Sequence, residues 1–401
     1  MDDILEFGKL VLVVSSGLSL AIAVRMVAGR LAIPTAGLLL VVAAAASDLS
    51  DRLGSILTFE DVQRIATLAL VVILFEGGSE IGLRRFRRAA VPIVAVGVLG
   101  TFGTAALVAV AAHFLLGLSW IVSGLIGAAL APTDPAVTFS VLAGREVQGR
   151  SGTILEGESG FNDPVGIALM VGMVELATTD GGSFAIVVEE FALEMGIGLV
   201  AGVAGALVLL WLFRHAPLPD RTLYPIAVML AAGAIYGVAA VAHGSGFLAV
   251  FVAGILVGDL KYAERQDVRS FNSVLSDLGE LAAFVALGLT IDLAFIAEEG
   301  LWWRGLVLAV VLGALVRPLV VGSLLFPMRL SWGERGFIVW SGLKGAVPIL
   351  LASLAVVGQT DYAEQIYGIV FVVVLVSVVV QGTLVPTVAG RLGVPMKTES
   401  D

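Results

Sequence analysis

The chain has 401 residues, of which 58% are hydrophobic and 14% are charged, and its formal net charge is −10. Soluble domains carry roughly 25% charged residues, so this composition excludes a soluble globular domain and indicates a polytopic membrane protein. The absence of cysteine excludes disulfides and thiolate metal sites, and no basic stripe indicates a nucleic-acid partner.

Apolar segments long enough to cross a bilayer follow one another along the whole chain. About 20 helical residues span the hydrocarbon core, and charged or turn-rich stretches divide the sequence into thirteen candidate spans. Their approximate bounds are 4–24, 31–47, 65–83, 89–116, 119–143, 153–177, 185–213, 222–242, 246–260, 273–291, 302–326, 335–357 and 366–390. The sequence therefore predicts an all-α polytopic membrane protein.

The loop charges predict the orientation of these spans. With the N-terminus outside, seventeen of the 23 Lys and Arg residues fall in cytoplasmic loops, as the positive-inside rule requires. We therefore expect a multi-pass protein of the cell membrane with a cytoplasmic C-terminus.

Two predicted spans are interrupted at corresponding places. Span five contains Pro132 and Pro135, and span twelve contains the run from Gly342 to Pro348. Because they are seven spans apart, they cross the membrane in opposite directions, as in transporters built from inverted repeats. Spans 1–6 and 8–13 would then be two inverted halves with span seven as a linker, although prolines are also common in ordinary membrane helices.

The break in span five places oxygen atoms at membrane depth. Its prolines remove backbone donors and free carbonyl groups on the preceding turn, beside Thr133 and Asp134. Such oxygens are suitable ligands for a hard monovalent cation. Asp134 also has a structural interpretation, as the cap of the second half-helix.

Span six carries the run Glu-Ser-Gly-Phe-Asn-Asp at 158–163. Carboxylates inside a membrane are costly and indicate an ion or proton pathway. Ser159 and Asp163 are four residues apart and share a helix face, whereas Glu158 points to a different side. Burial disfavours a charged Asp163 and a bound cation favours it, so this carboxylate would hold either a proton or a cation.

Two buried cations are candidate partners for these acids. Arg317 in span eleven would pair with Glu158, since an unpaired buried guanidinium is hard to sustain. Lys344 would offset carboxylates or the carbonyl end of a half-helix. Static ion pairs that lock the helices together explain Glu158 and Arg317 well and Asp163 poorly. Elsewhere, we expect Glu76 to lie near a helix end as an interfacial group, and Glu156 to lie either at the cytoplasmic mouth or in solvent.

The motifs Pro132–Pro135 and Gly157–Pro164 resemble those of NhaP-type monovalent cation/proton antiporters, with most similarity to the cell-volume-regulation K⁺/H⁺ branch. The resemblance extends over the whole chain and implies a homodimer without cofactors, in which a moving core faces a dimerisation scaffold. The implied segments are 1–88 (scaffold, spans 1–3), 89–183 (core, spans 4–6), 184–221 (linker), 222–300 (scaffold, spans 8–10), 301–391 (core, spans 11–13) and 392–401 (tail).

The same resemblance implies residue roles. Asp163 would carry the cation or proton, while Thr133, Asp134, Glu158 and Ser159 would form or border the Na⁺ or K⁺ site. Further expectations are that Arg317 pairs with Glu158 and that Asn162 accompanies electroneutral exchange. Lys344 departs from the usual Arg at its position.

Two other classes stay open at this point. Gly157–Gly160 and Ala242–Gly246 look like the serine and histidine motifs of rhomboid intramembrane proteases, which would make the protein an enzyme. A cation channel or a transport-derived sensor is the other alternative. Thirteen spans and the Asn162-Asp163 pair favour the secondary transporter, which is not an enzyme.

Overall fold

A computed structural model describes residues 2–31, 34–54, 56–140, 142, 145–147, 150–179, 184–216, 218–259 and 265–398. These ranges are almost entirely helical. The α-helices, in chain order, are α1 (Asp2–Leu31), α2 (Thr35–Leu49), α3 (Asp51–Gly54), α4 (Phe59–Val94), α5 (Thr101–Leu116), α6 (Trp120–Leu130), α7 (Pro135–Ser140), α8 (Arg150–Thr178), α9 (Phe184–His215), α10 (Leu223–Val241), α11 (Gly246–Gly258), α12 (Arg265–Leu289), α13 (Leu293–Glu298), α14 (Leu301–Val311), α15 (Arg317–Leu325), α16 (Trp332–Trp340), α17 (Ala346–Val357), α18 (Ala363–Val376) and α19 (Thr383–Arg391).

Three π-helical segments continue one α-helix into the next. They are Ala95–Gly100 between α4 and α5, Leu312–Val316 between α14 and α15, and Ser377–Gly382 between α18 and α19. A short antiparallel pair of strands, β1 (Arg145–Val147) and β2 (Met396–Thr398), was not predicted from the sequence.

Seven helices within the described ranges are long and apolar enough to cross a membrane, judged by length and composition. They are Phe59–Leu116, Arg150–Thr178, Val187–His215, Leu223–Val241, Gln266–Leu289, Leu301–Leu325 and Ala363–Arg391. Shorter apolar helices include α2, α6, α11 and α17. The chain is therefore a helical multi-pass membrane protein, as predicted.

The longest of these helices is divided by Gly82. At 58 residues and about 1.5 Å per residue, it would measure roughly 87 Å, nearly three times the hydrocarbon core. Gly82 has φ 64° and ψ 162°, a conformation that is essentially restricted to glycine. The Asp259 carboxylate accepts a hydrogen bond from the Arg84 amide at 2.6 Å, which caps the segment that follows. The break lies at the end of the predicted span three (65–83), before the predicted span four begins at 89.

Both predicted interruptions are present. The fifth span ends as α6 at Leu130 and resumes as α7 at Pro135, and the twelfth ends as α16 at Trp340 and resumes as α17 at Ala346. The predicted boundaries at 1, 143, 183, 260 and 401 lie outside the described residues.

Glycines allow two central helices to approach closely. A Cβ on Gly78 would overlap the Phe251 carbonyl, and one on Gly254 would overlap that of Phe75. Such small-residue contacts are typical of membrane helices. They join α4 to α11; α4 also packs against α12, and α12 packs against α2.

A second group of helices packs around the two interruptions. It includes contacts of α6 with α5 and α8, of α17 with α8 and α18, of α14 with α18, and of α16 with α8 and α15. The candidate site lies where this group faces the first.

Candidate functional site

A cavity of about 170 Å³ lies between the two groups of helices. One wall comes from α4, α11 and α12, and the other from α8, α17 and the interruption after α6. The polar lining residues are Glu76, Glu80, Asp134, Glu156, Ser159, Asp163, Ser276 and Glu280. The cavity is thus strongly acidic, although it lies among apolar helices.

Asp163 is the most deeply buried carboxylate on this lining. It is 4% exposed, and its Oδ2 accepts a hydrogen bond of 3.4 Å from the Ser159 hydroxyl. Its Oδ1 has no hydrogen-bond partner within the described residues. A buried polar atom is costly without a partner, so this oxygen is suited to bind a proton or a cation from the cavity.

Glu158 has a different environment. Its carboxylate accepts two hydrogen bonds from the Arg317 guanidinium, at 2.9 and 3.1 Å, which confirms the predicted pairing. Both side chains are at most 4% exposed. Arg317 also donates to the carbonyls of Val339 and Ile338, at 2.9 and 3.1 Å. The pair therefore ties α8 to α15 and to the end of α16.

Thr133 and Asn162 extend this hydrogen-bonded network. The Asn162 amide donates to the Thr133 hydroxyl at 2.7 Å, and that hydroxyl donates to Glu158 at 3.4 Å. Thr133 and Glu158 are absent from the described cavity lining. Their polar atoms are engaged with Asn162 and Arg317, and this geometry favours a structural role over direct cation binding.

Lys344 occupies the carbonyl end of the first interrupted helix. Its ammonium donates to the carbonyls of Ala131 and Pro132, at 2.9 and 2.7 Å, and its side chain is 1% exposed. Of the two interpretations from the sequence, the structure favours the interaction with a half-helix end. Two of the freed carbonyls expected to bind a cation are therefore already bonded to an ammonium.

The two interruptions contact each other directly. The Asp134 amide donates to the Leu343 carbonyl at 2.8 Å, and the Thr138 hydroxyl donates to the Ser341 carbonyl at 2.9 Å. A Cβ on Gly345 would overlap the Asp134 carboxylate. Asp134 therefore faces the cavity from a position fixed by the second interruption.

The outer carboxylates of the cavity have cationic partners. Glu80 pairs with Arg269 at 3.1 Å and Glu156 pairs with Arg85 at 3.5 Å. The sequence interpretation of Glu156 at a cavity mouth agrees with this arrangement, and Glu76 also lines the cavity.

Sequence reasoning missed the contribution of α12. Ser276 and Glu280 both line the cavity, and their spacing of four residues on an amphipathic helix was the available signal. No motif connects them to Asp163.

The geometry does not support the protease alternative. The Ser159 hydroxyl donates to Asp163. Of the three histidines, His113 contacts the Leu118 carbonyl, His215 contacts the Trp211 carbonyl, and His243 is exposed. A serine nucleophile requires an adjacent base, and none of these imidazoles is recorded beside Ser159 in the described part of the chain.

The fold and the site together define a class: a helical multi-pass membrane protein that holds, beside two interrupted helices, a buried carboxylate with one oxygen unpartnered among the described residues. The family model "Sodium/hydrogen exchanger, transmembrane" matches residues 15–390. The chain therefore belongs to this sodium/hydrogen exchanger family, and the resemblance noted from the motifs is confirmed.

Several curated proteins are similar to this chain. The K(+)/H(+) antiporter NhaP2 of Shewanella sp. (strain ANA-3) is 33% identical over 369 residues, which are 90% of this chain and 63% of the relative. The K(+)/H(+) antiporter NhaP of Alkalimonas amylolytica is 31% identical over 395 residues, 97% of this chain and 68% of the relative. The Na(+)/H(+) antiporter ApNhaP of Aphanothece halophytica is 26% identical over 347 residues, which are 82% of this chain and 64% of the relative. The match to the first of these spans less than two thirds of that relative's length.

A solved structure shares the fold. The sodium proton antiporter MjNhaP1 from Methanocaldococcus jannaschii, determined at pH 8, matches with a TM-score of 0.80 at 24% identity. The match covers 95% of this chain and all of the other.

Proposed function

We propose that this protein is a secondary active antiporter that exchanges a monovalent cation, Na⁺ or K⁺, for H⁺. The observation that carries the proposal is Asp163, a buried carboxylate with one unpartnered oxygen on the wall of an acidic cavity. The names of the relatives support the same activity.

Competition at Asp163 provides the coupling. A buried carboxylate is unfavourable when ionised and alone, so it holds either a proton or a cation. Ser159 and Asp134 supply further oxygens on the same cavity wall. A site that exchanges these two ligands while it alternates between membrane faces couples the two gradients.

The neighbouring groups make the exchange electroneutral in this proposal. Glu158 and Arg317 neutralise each other, and Asn162 is uncharged, so one carboxylate exchanges one proton for one cation. Thr133 and Glu158 stay predicted members of the site, with their hydrogen bonds supporting a role in its shape.

The proposed architecture combines the thirteen predicted spans with the two helix groups. Thirteen crossings form two inverted halves, with the interrupted helices as the crossing elements. The group around α8, α15 and α17 is the moving core, and the group around α4, α11 and α12 is the scaffold of a homodimer. The N-terminus lies outside the cell membrane and the C-terminus in the cytoplasm.

Reconstitution in liposomes that contain a pH-sensitive dye tests this function. After an outward proton gradient is imposed, K⁺ or Na⁺ added to the bath should raise the internal pH in the wild type. Asp163→Asn should abolish the response, because an amide cannot exchange a proton for a cation. Asp267→Asn, which removes an exposed charge on α12, is the matched control and should transport normally.

The same preparation separates the alternatives. A response that persists in Asp163→Asn would contradict the assignment, and a cation current without proton movement would indicate a channel. Li⁺, Na⁺, K⁺ and Rb⁺ are compared in parallel, with K⁺ tested first because the relatives at 31–33% identity are named K(+)/H(+) antiporters.

A further inference from the structure

One cavity carboxylate lies on the wall opposite Asp163 and has no role in the exchange described above. Glu280 lies on α12, and Ser276 lies four residues earlier on the same helix. Both line the cavity together with Ala283 and Phe284. Residues four apart share a helix face, so α12 presents a carboxylate and a hydroxyl to the cavity within apolar surroundings.

Glu280 differs from the outer carboxylates in its partners. Glu80 and Glu156 each have an arginine within 4 Å. In the described part of the chain, by contrast, no recorded ion pair or hydrogen bond involves Glu280.

Negative groups dominate the surroundings of Glu280. Three carboxylates, those of Asp134, Asp277 and Glu76, repel its charge, and Arg25 opposes them. Arg25 is itself paired with Asp277 at 3.1 Å. The electrostatic field at this part of the cavity therefore favours a cation.

The inner wall independently indicates a ligand. The Oδ1 of Asp163 is buried, lacks a partner among the described residues and belongs to the same cavity. A cation in this cavity faces Asp163 and Asp134 on one wall and Glu280 on the other. Attraction between unlike charges is strong where the effective dielectric constant is low.

We propose that Glu280, with Ser276, raises the affinity of the Asp163 site for its cation when that site faces the cavity. This inference rests on the proposed antiport function. Asp163 belongs to the moving core and Glu280 to the scaffold, so the movement that exposes Asp163 on the other face separates them. Glu280 thus acts on the cation affinity in one of the two states. Since a ligand stabilises the state to which it binds more tightly, the cation then favours the state in which Asp163 faces Glu280.

The test measures the KM for K⁺ and Na⁺ separately from each side of the membrane. The chain has no cysteine, and Gly77 lines the cavity with open space at its Cβ position. In a Gly77→Cys background, a charged, membrane-impermeant thiol reagent silences transporters whose cavity faces it. Reagent in the bath therefore leaves active only the transporters whose cavity faces the lumen, and reagent trapped in the lumen leaves active only those whose cavity faces the bath.

Glu280→Gln should raise the KM on the cavity side on the order of tenfold, as expected for the loss of one nearby charge in a half-buried site. The KM on the opposite side and the maximal rate should change less than twofold. Glu280→Asp should recover most of the affinity, and Asp267→Asn, on the same helix but exposed, should resemble the wild type.

Three results would overturn this role. They are an unchanged cavity-side KM in Glu280→Gln, an equal rise in KM on both sides, and a loss of maximal rate that Glu280→Asp does not recover. None of these three results would contradict the proposed antiport function, provided that exchange by the wild type depends on Asp163. Failure of the antiport proposal itself would appear separately, as cation-driven pH recovery that survives Asp163→Asn.

Discussion

The Glu158–Arg317 pair and Asp163 should respond in opposite ways when their charges are removed. Arg317 makes two hydrogen bonds to Glu158 and two to backbone carbonyls, and both side chains are buried. Arg317→Ala removes all four and leaves Glu158 charged, with the Thr133 hydroxyl as its remaining donor. Asp163→Asn instead removes a charge whose hydrogen-bond donor among the described residues is the Ser159 hydroxyl.

The magnitudes follow from these contacts. Breaking one side of a buried ion pair costs about 3–5 kcal/mol, which should lower the apparent unfolding temperature in detergent by roughly 5 °C or more. Replacing both partners by similar apolar residues is often neutral, so Glu158→Met with Arg317→Met should recover much of the loss. Asp163→Asn should be at least as stable as the wild type.

Thermal unfolding of the purified variants at one heating rate measures these effects, because membrane-protein unfolding is often irreversible and rate-dependent. The four proteins of the Glu158/Arg317 cycle are compared with Asp163→Asn. Wild-type stability in Arg317→Ala, or strong destabilisation in Asp163→Asn, would refute the division into a structural pair and an exchanging carboxylate.

Two further substitutions test the interruptions. Gly345→Ala should displace the Asp134 carboxylate and reduce antiport at least tenfold in dye-loaded liposomes. Gly77→Ala, whose Cβ meets open space, should retain antiport. Equal activity of the two variants would contradict the close contact of Gly345 with Asp134. Lys344→Met should leave the Ala131 and Pro132 carbonyls without their donor. The free energy of unfolding should fall by about 1–3 kcal/mol, which thermal unfolding measures. An unchanged unfolding temperature would show that these hydrogen bonds contribute little to stability.

Hydropathy and prolines predicted most of the architecture. Membrane helices must satisfy their backbone hydrogen bonds internally, so apolar length and charged boundaries locate them well. The interruptions at 131–134 and 341–345 were predicted because Pro132, Pro135 and the glycines around Lys344 break helices. Thr58 and Asp61 form a capping box, which explains why α4 begins at Phe59 rather than at 65.

The site was predicted in part. The i,i+4 spacing correctly separated Asp163 from Glu158, and the rarity of unpaired buried arginine correctly selected Arg317. Local spacing carries no information on which distant helix faces a site, so Glu280 was missed. The sequence did not decide between the two interpretations of Lys344, because its hydrogen bonds depend on how the two interruptions cross.

The most direct test of the central claim is proton release when the cation binds. K⁺ or Na⁺ is added to purified protein in weakly buffered detergent solution near the pH at which transport is half-maximal. Competition at one carboxylate predicts release of up to one proton per bound cation, with no release in Asp163→Asn and normal release in Asp267→Asn. Cation binding to the wild type without proton release, or undiminished release in Asp163→Asn, would contradict the account.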